Sequence, residues 1–131
     1  MIMTCRDIYE SALALLGESP SGENSGDYTE RAPYLIAVLC GLLAETDRRF
    51  RAEHGRPAQG ALPDLKLELS EIFPLCNEFA PAAALYLASM LIFDSDDDRS
   101  DALFEKYSEI CKGIADGFSC KCEKIVNKYP I

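Results

Sequence analysis

The residues best placed to do chemistry are a run of carboxylates near the middle of the second half of the chain. Calcium loops of the EF-hand kind take ligands from positions 1, 3, 5 and 12 of a loop between two helices. In this sequence those positions are all acidic, namely Asp94, Asp96, Asp98 and Glu105. A helix is predicted on each side of them. The sixth position needs glycine for a sharp turn and is Arg99. A calcium-binding module is therefore kept as an alternative. The favoured prediction is that the chain has no metal site.

The favoured interpretation of the same run is helix capping. Carboxylates at the start of a helix are stabilised by its dipole and by N–H groups that have no partner within the helix. Asp97, Asp98 and Asp101 stand where the last helix is predicted to begin. We therefore expect these side chains to stabilise a helix N-terminus and to keep the surface charged.

A second candidate is the close pair Cys120 and Cys122. Zinc sites use four ligands, typically two such pairs, and the single histidine, His54, lies in a distant segment. No secretory leader is recognised at the N-terminus, so we expect a cytosolic chain whose six cysteines are reduced. Cys40 and Cys111 fall on apolar helix faces, where a small buried hydrophobe belongs.

The patterns of known catalytic sites are missing from this sequence. It contains no glycine-rich phosphate loop, no Gly-x-Ser-x-Gly and no His-Glu-x-x-His. The prediction is a non-enzymatic protein with no catalytic residue and no cofactor.

The charge balance is acidic, with 22 Asp and Glu against 13 Lys and Arg and a net charge of -9. Nucleic-acid binders need a basic surface, so no sequence-specific nucleic-acid binding is predicted. The strongest basic cluster, residues 47–51, is interpreted as a solvated helix face. The longest apolar stretch, residues 79–93, contains Pro81 and is too short to cross a bilayer, so it is interpreted as a buried helix.

These residues have to be positioned by a single all-α domain of residues 1–131. Apolar periodicity and capping residues predict an antiparallel bundle of about four helices. The first, third and fourth helices are predicted over residues 4–17, 77–93 and 100–118. The second is predicted to begin between residues 27 and 33 and to end at residue 55. An irregular connection over residues 55–78 and an extended tail over residues 119–131 complete the prediction.

Apolar and aromatic residues outside the predicted helices are candidates for partner binding. Leu65, Leu67 and Leu69 alternate with charged residues, which indicates a short extended piece that needs a pairing partner within the chain or in a neighbour. Tyrosines combine an apolar ring with a polar tip and suit interfaces. The remaining candidates lie in loop-like or terminal segments: Tyr28, Ile125, Val126 and Tyr129.

Several segments together resemble the head-to-tail connector proteins of tailed bacteriophages and prophages. They are a helix start with an Arg31-Ala-Pro33 motif in residues 27–36, an apolar helix in residues 73–91, an acidic turn leading into residues 103–107, and the first helix at residues 8–17. We add Arg31, from that helix start, to the predicted partner-binding residues.

The resemblance implies an antiparallel helical bundle that docks as a homo-oligomeric ring beneath the phage portal protein. Its partners would be the portal, neighbouring copies of itself and a tail or stopper protein. It would belong to the virion and assemble in the cytoplasm of the bacterial host. The alternatives are an acidic helical module that binds or regulates one protein partner, and the calcium-binding module described above.

Overall fold

The computed structural model describes residues 2–60 and 65–126, and side chains as far as Phe118. The predicted all-α class is confirmed: in this part of the chain the regular elements are helices, and β-pairing is limited to a bridge between Thr4 and Ile72. The helices are α1 (Cys5–Leu16), α2 (Ser25–Leu42), α3 (Ala44–Glu53), α4 (Ala80–Leu91) and α5 (Asp97–Val126). A single 3₁₀ turn, Asn77–Phe79, leads into α4.

The first helix begins and ends where its capping residues predict. The Thr4 hydroxyl accepts a hydrogen bond from the Asp7 N–H at 3.3 Å, and the Asp7 carboxylate accepts one from the Thr4 N–H at 2.9 Å. This reciprocal arrangement satisfies two N–H groups at the helix start. Gly17 ends the helix in the left-handed conformation, φ 73°, which glycine adopts without steric cost.

The second predicted helix is in fact two helices. The described part of the chain therefore contains five α-helices, where about four were expected. α2 begins at Ser25, before the predicted range, and holds Pro33 in its interior. Leu43 separates α2 from α3, with φ -99° and ψ 5°. Asp47 and Phe50 are the buried residues of α3.

The fourth helix is the centre of the bundle, as its apolar character predicts. Of its 12 residues, nine are buried, and it packs against α1, α2 and α5. Its contact with α5 includes two buried serines: the Ser89 hydroxyl donates to the Ser100 carbonyl and the Ser100 hydroxyl donates to the Ser89 carbonyl, both at 2.9 Å. Reciprocal bonds of this kind satisfy buried hydroxyls and set the register of the two helices.

Long-range contacts define an antiparallel bundle. Arg31 on α2 meets the Leu91 carbonyl at the end of α4, whereas Phe50 on α3 meets Phe79 just before α4 begins. α2 and α3 therefore run opposite to α4. The Ser89–Ser100 pair shows that α5 also runs opposite to α4, so α5 runs in the same direction as α2 and α3.

The last helix is longer than predicted. α5 starts at Asp97 and continues to Val126, beyond the end expected at residue 118. Part of the segment predicted to be an extended tail is therefore helical in its backbone. Residues 127–131, the rest of that predicted tail, lie outside the described residues.

The connection between α3 and α4 is irregular, as predicted, and its partner is the start of α1 in the same chain. The Cys5 N–H donates to the Glu71 carbonyl at 2.9 Å, and the Arg6 N–H donates to the Leu69 carbonyl at 2.8 Å. These amides are the first of α1 and have no acceptor within their own helix. The connection therefore completes the N-terminus of α1.

A buried ion pair on α3 holds the same connection. The Asp47 side chain is 1% exposed and lies 2.7 Å from the Nε of Arg51, which is 16% exposed. Asp47 also accepts a hydrogen bond from the Cys76 N–H at 2.9 Å. Arg51 in turn donates to the carbonyls of Pro57 and Pro74 at 3.1 and 2.9 Å. Residues 47–51, which were predicted to form a solvated helix face, are thus partly buried, and Asp47 and Arg51 bind the connection between α3 and α4.

Candidate docking surface

The first two predicted partner-binding residues serve the fold of the chain itself. Tyr28 lies in the first turns of α2 and is buried in the core, which corrects its assignment to an exposed loop. Arg31 donates to the Leu91 carbonyl at 2.7 Å and to the Met90 carbonyl at 3.4 Å, while Asp27 pairs with it at 3.0 Å. Both carbonyls lie at the C-terminal end of α4, where helical donors run out, so Arg31 caps that helix.

The three predicted leucines of the connection divide into two groups. Leu67 and Leu69 are buried in the core, and the Leu67 N–H donates to the Pro33 carbonyl on α2 at 3.0 Å. This corrects the expectation that both side chains face a partner, because the connection folds back on its own chain. Leu65 is 70% exposed and remains available for contact.

The remaining predicted contacts are at the C-terminus. The backbone of α5 passes through Ile125 and Val126, but their side chains, like those of Cys120 and Cys122, lie outside the described residues. Tyr129 lies wholly outside them. Their assignment as partner-binding residues stays a prediction.

The acidic turn between α4 and α5 shows the capping geometry that its sequence indicates. The Asp96 carboxylate accepts a hydrogen bond from the Arg99 N–H at 3.2 Å, and Asp97 and Asp98 occupy the first turn of α5. Among the described residues, no group of three or more His, Cys, Asp or Glu side chains is arranged to hold a metal ion. The carboxylates of the calcium alternative are therefore not gathered into a site.

The feature that the sequence interpretation missed is an exposed apolar stripe along α2. Tyr34, Val38 and Leu42 are 43, 51 and 61% exposed and follow one another at one-turn spacing. We call these three residues the α2 stripe. The core face of the same helix is formed by neighbouring residues, namely Ile36, Leu39 and Cys40.

Charged groups border the α2 stripe. At its N-terminal end a hollow of about 380 Å³ lies between Tyr34 and the side chains of Asp27, Glu30 and Arg31. The Lys66 ammonium sits 5.4 Å from the centre of the Tyr34 ring. An apolar strip with a charged rim has the composition of a protein-binding surface, in which buried contacts supply affinity and the rim supplies specificity.

The buried cysteines have the properties of core residues. Burial raises the pKa of the Cys5 thiol to about 11 and that of the Cys40 thiol to about 12. Thiols in this state are poor nucleophiles and poor metal ligands at neutral pH, because both roles need the thiolate. The predicted burial of Cys40 is confirmed, and Cys111 is half-buried beside Tyr107.

No family model, no curated protein and no solved structure matches this chain. Within the part of the chain that the structure describes, no helix is both long enough and apolar enough to span a membrane.

Proposed function

We propose that this chain is a non-enzymatic assembly subunit of a tailed-phage or prophage particle, a head-to-tail connector that docks at the portal ring. The observation that carries the proposal is the α2 stripe, an apolar helix face that the described part of the chain leaves uncovered. A subunit of a ring needs such a surface on a stable, self-contained bundle. The stripe lies in the helix that contains the Arg31-Ala-Pro33 motif of the connector resemblance.

The net charge of -9 is compatible with this role. A subunit at a channel through which DNA leaves the particle should repel the phosphate backbone, so that the DNA slides without binding. The same charge fits the second candidate, a regulatory module that binds one protein partner. The α2 stripe suits either, and the connector resemblance favours the first.

The decisive test combines genomic context with binding. We expect the flanking genes to encode a large terminase, a portal and a major capsid protein. The purified chain should then co-sediment with rings of that portal, and Val38→Asp should abolish this binding. Leu15→Asp, which places the same charge at an exposed leucine on α1, is the matched control and should bind normally.

Two results would reject the connector role. One is a set of metabolic or regulatory neighbours, which would leave the regulatory module as the better candidate. The other is a wild-type chain that is folded by circular dichroism yet fails to bind the portal rings at micromolar concentration.

A further inference from the structure

We infer that the α2 stripe receives the C-terminal segment, residues 119–131, of a second copy of this chain. The inference rests on the proposed assembly role and names the occupant of its docking surface. The contact would be heterologous, with the tail of one subunit on the α2 stripe of the next. Repetition of such a contact generates a ring when the rotation closes.

Charge complementarity supports this occupant. Residues 1–118 carry 10 Lys and Arg and 21 Asp and Glu, a net charge of -11, whereas residues 119–131 carry three Lys and one Glu, a net charge of +2. The basic residues alternate with apolar ones, since Lys121, Lys124 and Lys128 surround the pair Ile125 and Val126. A basic, apolar segment is attracted to an apolar strip on an acidic body.

The same charges disfavour a symmetric contact between two α2 stripes. Such a dimer would bring together two bodies that each carry -11, with the positive tails taking no part. Like-charged surfaces slow association and weaken the complex. The tail carries a net charge of +2 over 13 residues, so it is a better electrostatic match for an acidic body than a second acidic body is.

The geometry of α5 directs the tail away from the α2 stripe of its own chain. Phe118 lies beside Arg49 on α3, with 4.8 Å between the guanidinium and the ring centre. Because α5 runs in the same direction as α2 and α3, its last eight residues rise about 12 Å further from α2. The five residues after Val126 span at most about 17 Å.

The position of the end of α5 separates the tail from the α2 stripe of the same chain. Val126 lies about two turns beyond Phe118 on α5, and Phe118 contacts Phe50 on α3. Val38 lies on α2, before the break at Leu43. The α2 stripe is therefore better placed for the tail of a neighbour than for its own.

A complementation experiment on the full-length protein tests this arrangement. Sedimentation velocity should show wild-type oligomers that grow with concentration and dissociate between 50 and 500 mM salt. Val38→Asp removes the acceptor surface and Ile125→Asp removes the donor tail, so each variant alone should associate at least about tenfold more weakly. An equimolar mixture retains one intact acceptor and one intact donor, and should form dimers.

Controls separate this contact from loss of folding. Leu42→Asp, a second exposed position on the α2 stripe, should behave like Val38→Asp, and Leu15→Asp should associate like the wild type. All variants should keep the helical circular dichroism and thermal midpoint of the wild type. A variant that unfolds is replaced by the other stripe variant, so the comparison remains decisive.

Three outcomes would overturn the inference. They are a wild-type chain that stays monomeric at the highest concentration, an Ile125→Asp variant that still forms wild-type oligomers, and a mixture of the two variants that fails to dimerise. A monomeric chain that binds portal rings would reject this inference and keep the proposed function. A chain that forms tail-dependent oligomers but does not bind portal rings would support this inference and reject the proposed function.

Discussion

Replacing Asp47 by asparagine should loosen the connection between α3 and α4. Asparagine has the same shape and keeps an oxygen that accepts the Cys76 N–H, now 2.9 Å away. It removes the negative charge that lies 2.7 Å from Arg51 Nε in a pair whose side chains are 1 and 16% exposed. The variant therefore leaves a largely buried guanidinium without its counter-charge.

The size of the effect follows from that burial. Removing one partner of a buried ion pair costs about 3–5 kcal/mol. Arg51 still donates to the Pro57 and Pro74 carbonyls and to the Gln59 side chain, so the lower end, about 3 kcal/mol, is expected. For a chain of 131 residues, this corresponds to a fall in the melting temperature of about 10 °C.

Urea unfolding followed by circular dichroism measures the free energy of unfolding, and hydrogen exchange measures protection of the Cys76 amide. Glu45→Gln is the matched control, since Glu45 and Arg48 form an ion pair on the same helix with side chains 69 and 63% exposed. Exposed pairs of this kind contribute little to stability, so no measurable change is expected. In a double-mutant cycle, adding Arg51→Met to Asp47→Asn should cost less than the sum of the two single changes.

A loss below about 1 kcal/mol, the ordinary cost of one hydrogen bond, would refute the reasoning if the Cys76 amide also kept its protection. Additive effects of the two substitutions would refute it as well, because the two side chains would then not act as a pair. Either result would mean that the connection is held mainly by its buried leucines.

Three further predictions follow from the described contacts. Arg56 donates two hydrogen bonds to Glu78 and lowers the pKa of that carboxyl to about 2. A carboxyl whose pKa is lowered by folding stabilises the protein at pH values above its unfolded pKa, and this stabilisation is lost as the pH falls through the folded pKa. The difference in unfolding free energy between wild type and Glu78→Gln should therefore shrink from pH 6 towards pH 2 in urea titrations. Iodoacetamide at pH 8 should leave Cys5 and Cys40 unmodified in the native protein and modify them in urea, as mapped by mass spectrometry, because their thiol pKa values are about 11 and 12. The buried Tyr9 hydroxyl makes no hydrogen bond among the described residues, so Tyr9→Phe should leave thermal stability unchanged or raise it; a lower melting temperature would show that the hydroxyl has a partner.

The elements with local signals were predictable from the sequence. Thr4, Asp7 and Gly17 identify both ends of α1 because capping involves residues within one or two turns. The break at Leu43 was not predictable, since that residue is neither glycine nor proline. The burial of Asp47 depends on Cys76, 29 residues away, and periodicity within one helix carries no information about such a contact.

The docking surface was hidden for a related reason. Tyr34, Val38 and Leu42 recur at one-turn spacing, but so do Leu35, Leu39 and Leu43 beside them. A helix with two adjacent apolar rows predicts burial on both, and only the arrangement of the other helices decides which row stays uncovered. Here α4 packs against α2, the row that contains Leu39 is buried, and the row of Tyr34, Val38 and Leu42 faces outward.

The bonds between the start of α1 and the connection also bear on how the chain folds as it is synthesised. Cys5 and Arg6 are synthesised more than 60 residues before Leu69 and Glu71, whose carbonyls accept their N–H groups. Until then the opening turn of α1 is hydrated and frays. α4, which buries the apolar face of α1, follows later still. α1 therefore gains its full set of contacts only after α4 has been synthesised.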